Sequence, residues 1–204
     1  MARSSHSAGR VIAGTARGRA LIAPGEGTRP LGDRVKQTLF AILEPELRGR
    51  AVLDLFAGSG AAGIEALSRG AERAVFVERD QGAIDAIRRN LAVTGLAGPA
   101  ALVIRSQVGT WCNKHAAGAG PFAVIVIDPP YDLPELLADA LAAIDVAGPS
   151  VILAADGVVV AKHFWKTPPA GIGLLRSVRE RRFGETGLTF LRWASAAPDG
   201  KEDG

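Results

Sequence analysis

Asp128-Pro129-Pro130-Tyr131 directly follows an unbroken apolar run at residues 122–127, and its residue types suit one kind of chemistry. Two consecutive prolines fix φ and remove two N–H donors, so the turn presents carbonyls without competing donors. The Asp128 carboxylate and the Pro129 carbonyl, with the Tyr131 ring alongside, make a rigid acceptor array. An exocyclic amino group on a nucleobase is a poor nucleophile, because its lone pair is delocalised into the ring. Acceptors that take both of its hydrogens favour the pyramidal nitrogen needed to attack an electrophilic methyl group. Tyr131 is suited to stack on such a base, which must leave its paired or stacked context to reach a pocket. Asp128 is also a candidate to take up the released proton.

A second constellation lies upstream, in Val52-Leu53-Asp54-Leu55-Phe56-Ala57-Gly58-Ser59-Gly60. Gly58 and Gly60 let the backbone turn sharply and let a ligand approach, and a following helix N-terminus offers unpaired N–H groups. Glu78 stands eighteen residues after Gly60, where a carboxylate is suited to accept from two ribose hydroxyls. With Phe56 in the turn, these residues read as a site for an adenosine-containing cofactor. Gly58-Ser59-Gly60-Ala61-Ala62-Gly63 also fits the dinucleotide pattern G-x-G-x-x-G, which keeps an NAD(P)-dependent oxidoreductase as an alternative. Two features favour S-adenosylmethionine. Asp54 would repel a pyrophosphate but hold the cationic end of a methionine, and 204 residues leave little room for a separate substrate domain.

The elements that must position these residues follow from periodicity. Residues 51–55, 74–77, 100–104 and 122–127 read as strands, and residues 61–69, 80–91 and 134–144 as the helices between them, with a weaker helical stretch at 108–115. Asp80 is the expected cap of one helix, and Pro134 opens another. Strand–helix alternation argues for a doubly wound parallel sheet. Residues 158–161, 174–178 and 189–193 are strand-like, with a turn at 183–187, and predict an antiparallel hairpin that closes the sheet. Ahead of the sheet, two short strands at 10–13 and 19–22 precede an amphipathic helix that starts near Asp33 and stops at 45–49. The expected organisation is a disordered tail over 1–9, a basic extension of hairpin plus helix over 10–45, the α/β domain over 46–194, and a flexible tail over 195–204.

Charge is unevenly spread. Residues 1–36 hold seven Lys/Arg against two Asp/Glu, whereas the rest hold 17 against 19. A basic arm on a slightly acidic body points to a polyanion, and Arg10, Arg17, Arg19, Arg29, Arg34 and Lys36 are the candidate phosphate contacts. Arg17 and Arg19, two apart on an expected strand, would face one side. The single cysteine, Cys112, excludes an internal disulfide and a cysteine zinc cluster, so a reducing cytoplasm is expected. No apolar block follows the first residues and none reaches a membrane-spanning length, so neither a leader nor a span is expected. His6, His115 and His163 lack ligand spacing, and no metal is expected. Trp111, Trp165, Trp193 and Cys112 read as packing residues. Arg179, Arg181 and Arg182 read equally as an RNA contact or a solvated turn.

With these motifs in hand, the chain resembles the RsmD family of bacterial 16S rRNA guanine-N2 methyltransferases. The resemblance extends from about residue 10 to 192. It includes Arg10-Val11-Ile12-Ala13-Gly14, Arg17-Gly18-Arg19, Thr28-Arg29-Pro30, Asp33-Arg34-Val35-Lys36 and Phe183-Gly184-Glu185-Thr186. It implies a Rossmann-like class I methyltransferase fold, a mainly parallel seven-stranded sheet with a closing antiparallel hairpin, behind a small basic extension. It implies methyl transfer from S-adenosylmethionine to the 2-amino group of one guanine in 16S rRNA. The expected context is the small subunit or an assembly intermediate, and the expected enzyme is a monomer. Asp54, Gly58, Gly60 and Glu78 fall in the cofactor motifs, Asp128 to Tyr131 in the catalytic one. Two departures stand out: Arg105-Ser106-Gln107-Val108 where relatives carry an acidic residue or Asn, leaving Gln107 to meet the adenine, and Leu31 in place of Thr. The tetrapeptide serves amino groups generally, so adenine N6 or cytosine N4 of DNA or RNA stays open. So does an RNA-binding assembly factor that has lost catalysis.

Overall fold

The computed structural model describes residues 7–25 and 31–194. The expected tails over residues 1–6 and 195–204, and Arg29 with its neighbours, lie outside the described residues.

A parallel sheet buried on both faces requires long apolar strands, and the middle of the chain supplies them. β3 (Ala51–Leu55), β4 (Arg73–Glu78), β5 (Ala101–Arg105) and β6 (Phe122–Ile127) alternate with α2 (Ala61–Ser68), α3 (Gln81–Thr94), the short pair α4 (Val108–Lys114) and α5 (Ala116–Ala119), and α6 (Pro134–Ala147). β7 (Leu153–Phe164) then leads into the hairpin of β8 (Leu175–Phe183) and β9 (Thr186–Trp193). The sheet order is β5-β4-β3-β6-β7-β9-β8. β3 to β7 run parallel, while β9 pairs antiparallel with both β7 and β8. This is the expected doubly wound, seven-stranded sheet with a closing hairpin. The chain reverses its direction of winding between β3 and β6, so the carboxyl ends of those two strands form the switch-point crevice.

Helices cover both faces. α4 and α6 close one core with Leu53, Ile125, Val159 and Trp111. α1 (Asp33–Leu47) closes the other, with Leu39, Phe40, Val124 and Phe190. α2 lies close to the sheet because Gly63 faces Phe76: a Cβ on Gly63 would fall 2.3 Å from the Phe76 ring. Asp80 caps α3 as expected, accepting from the Ala83 N–H at 2.8 Å.

Several boundaries differ from the expectations. β1 (Ser7–Arg10) and β2 (Ala20–Ile22) pair antiparallel, so residues 7–9 are strand rather than disordered tail. The first strand stops before residues 11–13 because the buried Glu65 carboxylate claims the Ile12 and Ala13 N–H groups at 2.7 and 3.1 Å. Ser68 holds the next turn, and a Cβ on Gly14 would overlap its carbonyl. Arg17 and Arg19 therefore stand in and beside this turn, not together on a strand. α1 continues through Pro45 to Leu47, whose side chain is fully buried. Gly32, not Asp33, precedes its first turn, and Asp33 bonds the Arg10 N–H instead. β7 is three times its expected length: the small and polar 154–157 stretch and the polar Lys162-His163 pair disguise its two ends. Among the described residues, no helix is long and apolar enough to cross a membrane.

Candidate active site

The glycine turn is bound to the neighbouring strand by one side-chain carboxylate and one backbone carbonyl. After β3 the backbone takes positive φ at Phe56 (59°), Gly58 (54°) and Gly60 (75°) before α2 begins. Such a conformation is strained at Phe56, where a side chain meets the backbone. The turn is held by hydrogen bonds: Ala57 N–H donates to the Val77 carbonyl at 3.2 Å, and Gly58 N–H donates to Glu78 Oε2 at 2.9 Å. The other oxygen of Glu78 accepts from Arg79 and Asp80 N–H. Asp54, on β3, accepts from Gly63 N–H at 2.9 Å through Oδ2. Burial pushes the Asp54 carboxyl up to about 8; the Gly63 N–H opposes this, while Asp128 and Glu78 add to it.

The Asp128-Pro129-Pro130-Tyr131 turn leaves β6 beside this cradle, with Asp128 N–H donating to the Leu55 carbonyl at 3.3 Å. One residue that sequence reasoning missed completes it. Lys162, near the end of β7, places its Nζ 2.5 Å from Asp128 Oδ1 and 4.9 Å from the centre of the Tyr131 ring. Tyr131 is also anchored at its far end, where its hydroxyl meets Thr186 Oγ1 at 2.9 Å. Burial drives the Asp128 carboxyl above its ordinary value, and the Lys162 ammonium reduces that shift without cancelling it. For Lys162, burial is the largest single influence and works against the charge, yet Asp128 and Tyr131 together outweigh it and the net shift is upward. The one signal in the sequence was a lone lysine ending an apolar run, Val158-Val159-Val160-Ala161-Lys162.

Both constellations line one cleft of about 690 Å³. Asp54, Phe56, Gly58, Glu78 and Gln107 border it together with Asp128, Pro129, Pro130 and Tyr131. Gly60 is buried behind it and shapes the turn. Gln107 precedes α4 without capping it. Pro24, Gly25 and Leu31 also border the cleft, so the extension reaches it on both sides of residues 26–30.

Of the basic candidates, Arg10, Arg17, Arg19 and Arg34 are exposed. Arg10 pairs with Asp33 at 3.3 Å. Lys36 corrects the expectation: it is fully buried, donating to the Arg10 carbonyl at 2.5 Å and pairing with Asp33 at 3.4 Å. It joins α1 to β1 and is not presented to a polyanion. Trp111 and Cys112 are core residues, and Trp193 donates to the Ala154 carbonyl. Arg182 stacks on Trp165, with its guanidinium 3.4 Å from the ring centre.

A family model described as Conserved hypothetical protein 95 matches residues 9–192. Bacillus subtilis YlbH, provisionally named an rRNA methyltransferase, is 39% identical over 90% of this chain and 98% of its own. The ribosomal RNA small subunit methyltransferase D of Haemophilus influenzae is 42% identical over 60% of this chain and 63% of its own. The structure of Escherichia coli yhhF, provisionally titled a methyltransferase, superposes with a TM-score of 0.76 at 30% identity, covering 92% of this chain and 98% of that one. A match across nearly the whole chain, on a sheet that joins both motifs at one cleft, means that the chain belongs to the RsmD family of rRNA methyltransferases.

Proposed function

We propose that this protein transfers a methyl group from S-adenosylmethionine to the exocyclic 2-amino group of a guanine in small-subunit rRNA. The observation that carries the reading is the shared cleft: a glycine turn with a strand-end carboxylate on one side and the acceptor tetrapeptide on the other. The names of the relatives support an rRNA substrate, and the small ribosomal subunit or an assembly intermediate is the proposed partner.

The residues present fit the cofactor. Among the described residues no buried side-chain polar atom lacks a partner, and Asp54 Oδ1 has no protein partner. That oxygen therefore reaches the cleft, where it suits an ammonium group. Glu78 keeps acceptor capacity for ribose hydroxyls beside the bonds that fix it. Gly58 gives close backbone approach, and Gln107 offers a side-chain amide to the adenine.

When bound, S-adenosylmethionine supplies a methyl group already activated on a sulfonium, so the protein contributes mainly position. Asp128 and the Pro129 carbonyl accept the two amine hydrogens and aim the nitrogen lone pair into the cleft. Tyr131, fixed at its hydroxyl by Thr186, supplies a stacking face for a flipped base. Arg10, Arg17, Arg19 and Arg34, with Arg29 beyond the described residues, are the proposed phosphate contacts.

Incubation with methyl-labelled cofactor and small subunits lacking the modification tests this. Label is expected in 16S rRNA, and Asp128→Ala is expected to abolish transfer while changing cofactor affinity by no more than severalfold. Transfer only to DNA, or undiminished turnover in Asp128→Ala, overturns the reading. So does tight NADH binding without a response to S-adenosylmethionine.

A further inference from the structure

The register of two neighbouring strands brings a buried ammonium to the acceptor turn. β6 and β7 pair in parallel with Ile127 opposite Ala161, so the next residues along, Asp128 and Lys162, are lateral neighbours. Both side chains are mostly buried, Lys162 at 9% exposure and Asp128 at 17%. Of the two carboxylate oxygens, Nζ bonds Oδ1. Asp128 Oδ2 has no protein partner, and since no buried side-chain polar atom among the described residues is unpartnered, Oδ2 opens to the cleft.

We propose that Lys162 is a positioning residue for methyl transfer: it holds one oxygen of an ionised Asp128 and so leaves the other oxygen free to accept a hydrogen from the substrate amine. This rests on the role given to Asp128 above and deepens it.

The electrostatic surroundings make the lysine necessary. The other ionisable groups bordering the same cleft are Asp54 on β3, Glu78 at the end of β4 with Arg79 and Asp80 after it, Tyr131 and Asp132 after β6, and Asp139 on α6. All but Arg79 are acids, and Lys162 is the cation that acts on Asp128. A carboxylate withdrawn from water among other acids takes up a proton unless a cation holds it ionised. Protonated Asp128 would turn one oxygen into a donor, and a donor facing the N–H groups of an amine loses the acceptance that orients the nitrogen. The ammonium of Lys162 opposes this, against a burial that still holds the Asp128 carboxyl above its ordinary value. Its own shift is upward, so it stays charged and is no proton acceptor for the reaction. The same ammonium lies over the Tyr131 ring, so one side chain steadies both ends of the tetrapeptide. A buried ion pair is weak evidence for a stabilising role, because desolvation offsets its attraction. A role in the site accounts for it better.

The test compares the full-length wild type with Lys162→Gln, Lys162→Met and Lys162→Arg. Two readouts are taken: the pH profile of kcat on small-subunit rRNA, and the carboxyl ¹³C titration of Asp128, assigned by its loss in Asp128→Asn. Removal of the charge should move the acid limb of kcat, and the Asp128 titration, upward by about one pH unit or more. At neutral pH kcat should fall by about tenfold or more, while the KM for cofactor changes by less than about threefold. Lys162→Arg should restore the wild-type limb. Lys162→Gln keeps a donor of similar length, so it decides the matter should the Met variant fail to fold. An unmoved Asp128 titration in the Gln variant overturns the proposal. If the wild type transfers no methyl to any RNA, the proposed function fails, and the carbon titration still decides whether Lys162 holds Asp128 ionised.

Discussion

Asn90 donates through Nδ2 to the Ser59 carbonyl inside the glycine turn at 2.9 Å, and the same side chain clasps the N-terminal hairpin. Its Oδ1 accepts from Ile22 N–H at 2.8 Å, and Nδ2 also donates to the Ile22 carbonyl at 2.9 Å. One fully buried amide on α3 therefore ties the last strand of the extension to the glycine turn.

Asn90→Ala would remove the Asn90 bonds of the part-buried Ile22 N–H and carbonyl and of the buried Ser59 carbonyl. Each such group costs about 1–3 kcal/mol when unpaired, with some relief from water and relaxation. We expect a loss of about 2–4 kcal/mol in unfolding free energy, together with cofactor affinity reduced several-fold. Denaturant titration and calorimetry check the two effects separately. A stability loss with unchanged cofactor affinity would show that the clasp holds the hairpin but does not support the loop.

Asp54 makes cofactor binding depend on pH. With its carboxyl raised to about 8 by burial, it is largely protonated in the free protein at pH 7. A cationic ammonium in the cleft favours the ionised form, so binding below pH 8 releases a proton. Affinity should rise from pH 6 to pH 8 and then level. Calorimetry in two buffers of different ionisation enthalpy measures the released proton directly. Asp54→Asn should bind more weakly and lose the dependence. A flat profile in the wild type would contradict the assignment of Asp54 to the ammonium.

The extension should show two kinds of basic residue. Replacing Arg10, Arg17, Arg19 and Arg34 together by Ala should weaken RNA binding and flatten its salt dependence. Each lost phosphate contact reduces the log–log slope by about 0.7–0.9. Lys36→Met should behave differently: it removes a buried ammonium held by Asp33 and the Arg10 carbonyl, so thermal stability drops. Binding titrations across a salt series separate these outcomes. An unchanged slope in the fourfold variant would remove the arginines from the RNA interface.

What the sequence made legible follows from what packing demands. β6 was read to the residue because a strand buried on both faces is continuously apolar, and Asp80 was recognised as a cap because capping is local. Both halves of the cleft were found because glycines, prolines and strand-end carboxylates stand at fixed chain offsets. Lys162 was missed because its significance arises only through the pairing of β6 with β7, a contact between residues 34 positions apart. The first strand was misplaced for the same reason: Glu65, more than 50 residues away, takes the N–H groups that would have extended it. Lys36 was grouped with the exposed arginines because charge alone carries no information on burial. β8 was cut short because an edge strand with an exposed Arg-rich face lacks an apolar pattern.

The central claim is that Asp128 and Pro129 receive the amino group of a guanine beside the cofactor. Small subunits lacking the modification, treated with the protein and S-adenosylmethionine, can be digested to nucleosides and analysed by mass spectrometry. We expect one new species, N2-methylguanosine, at a single 16S rRNA position and absent with Asp128→Ala. Methyl on adenine N6 or cytosine N4, or on no base at all, would contradict it.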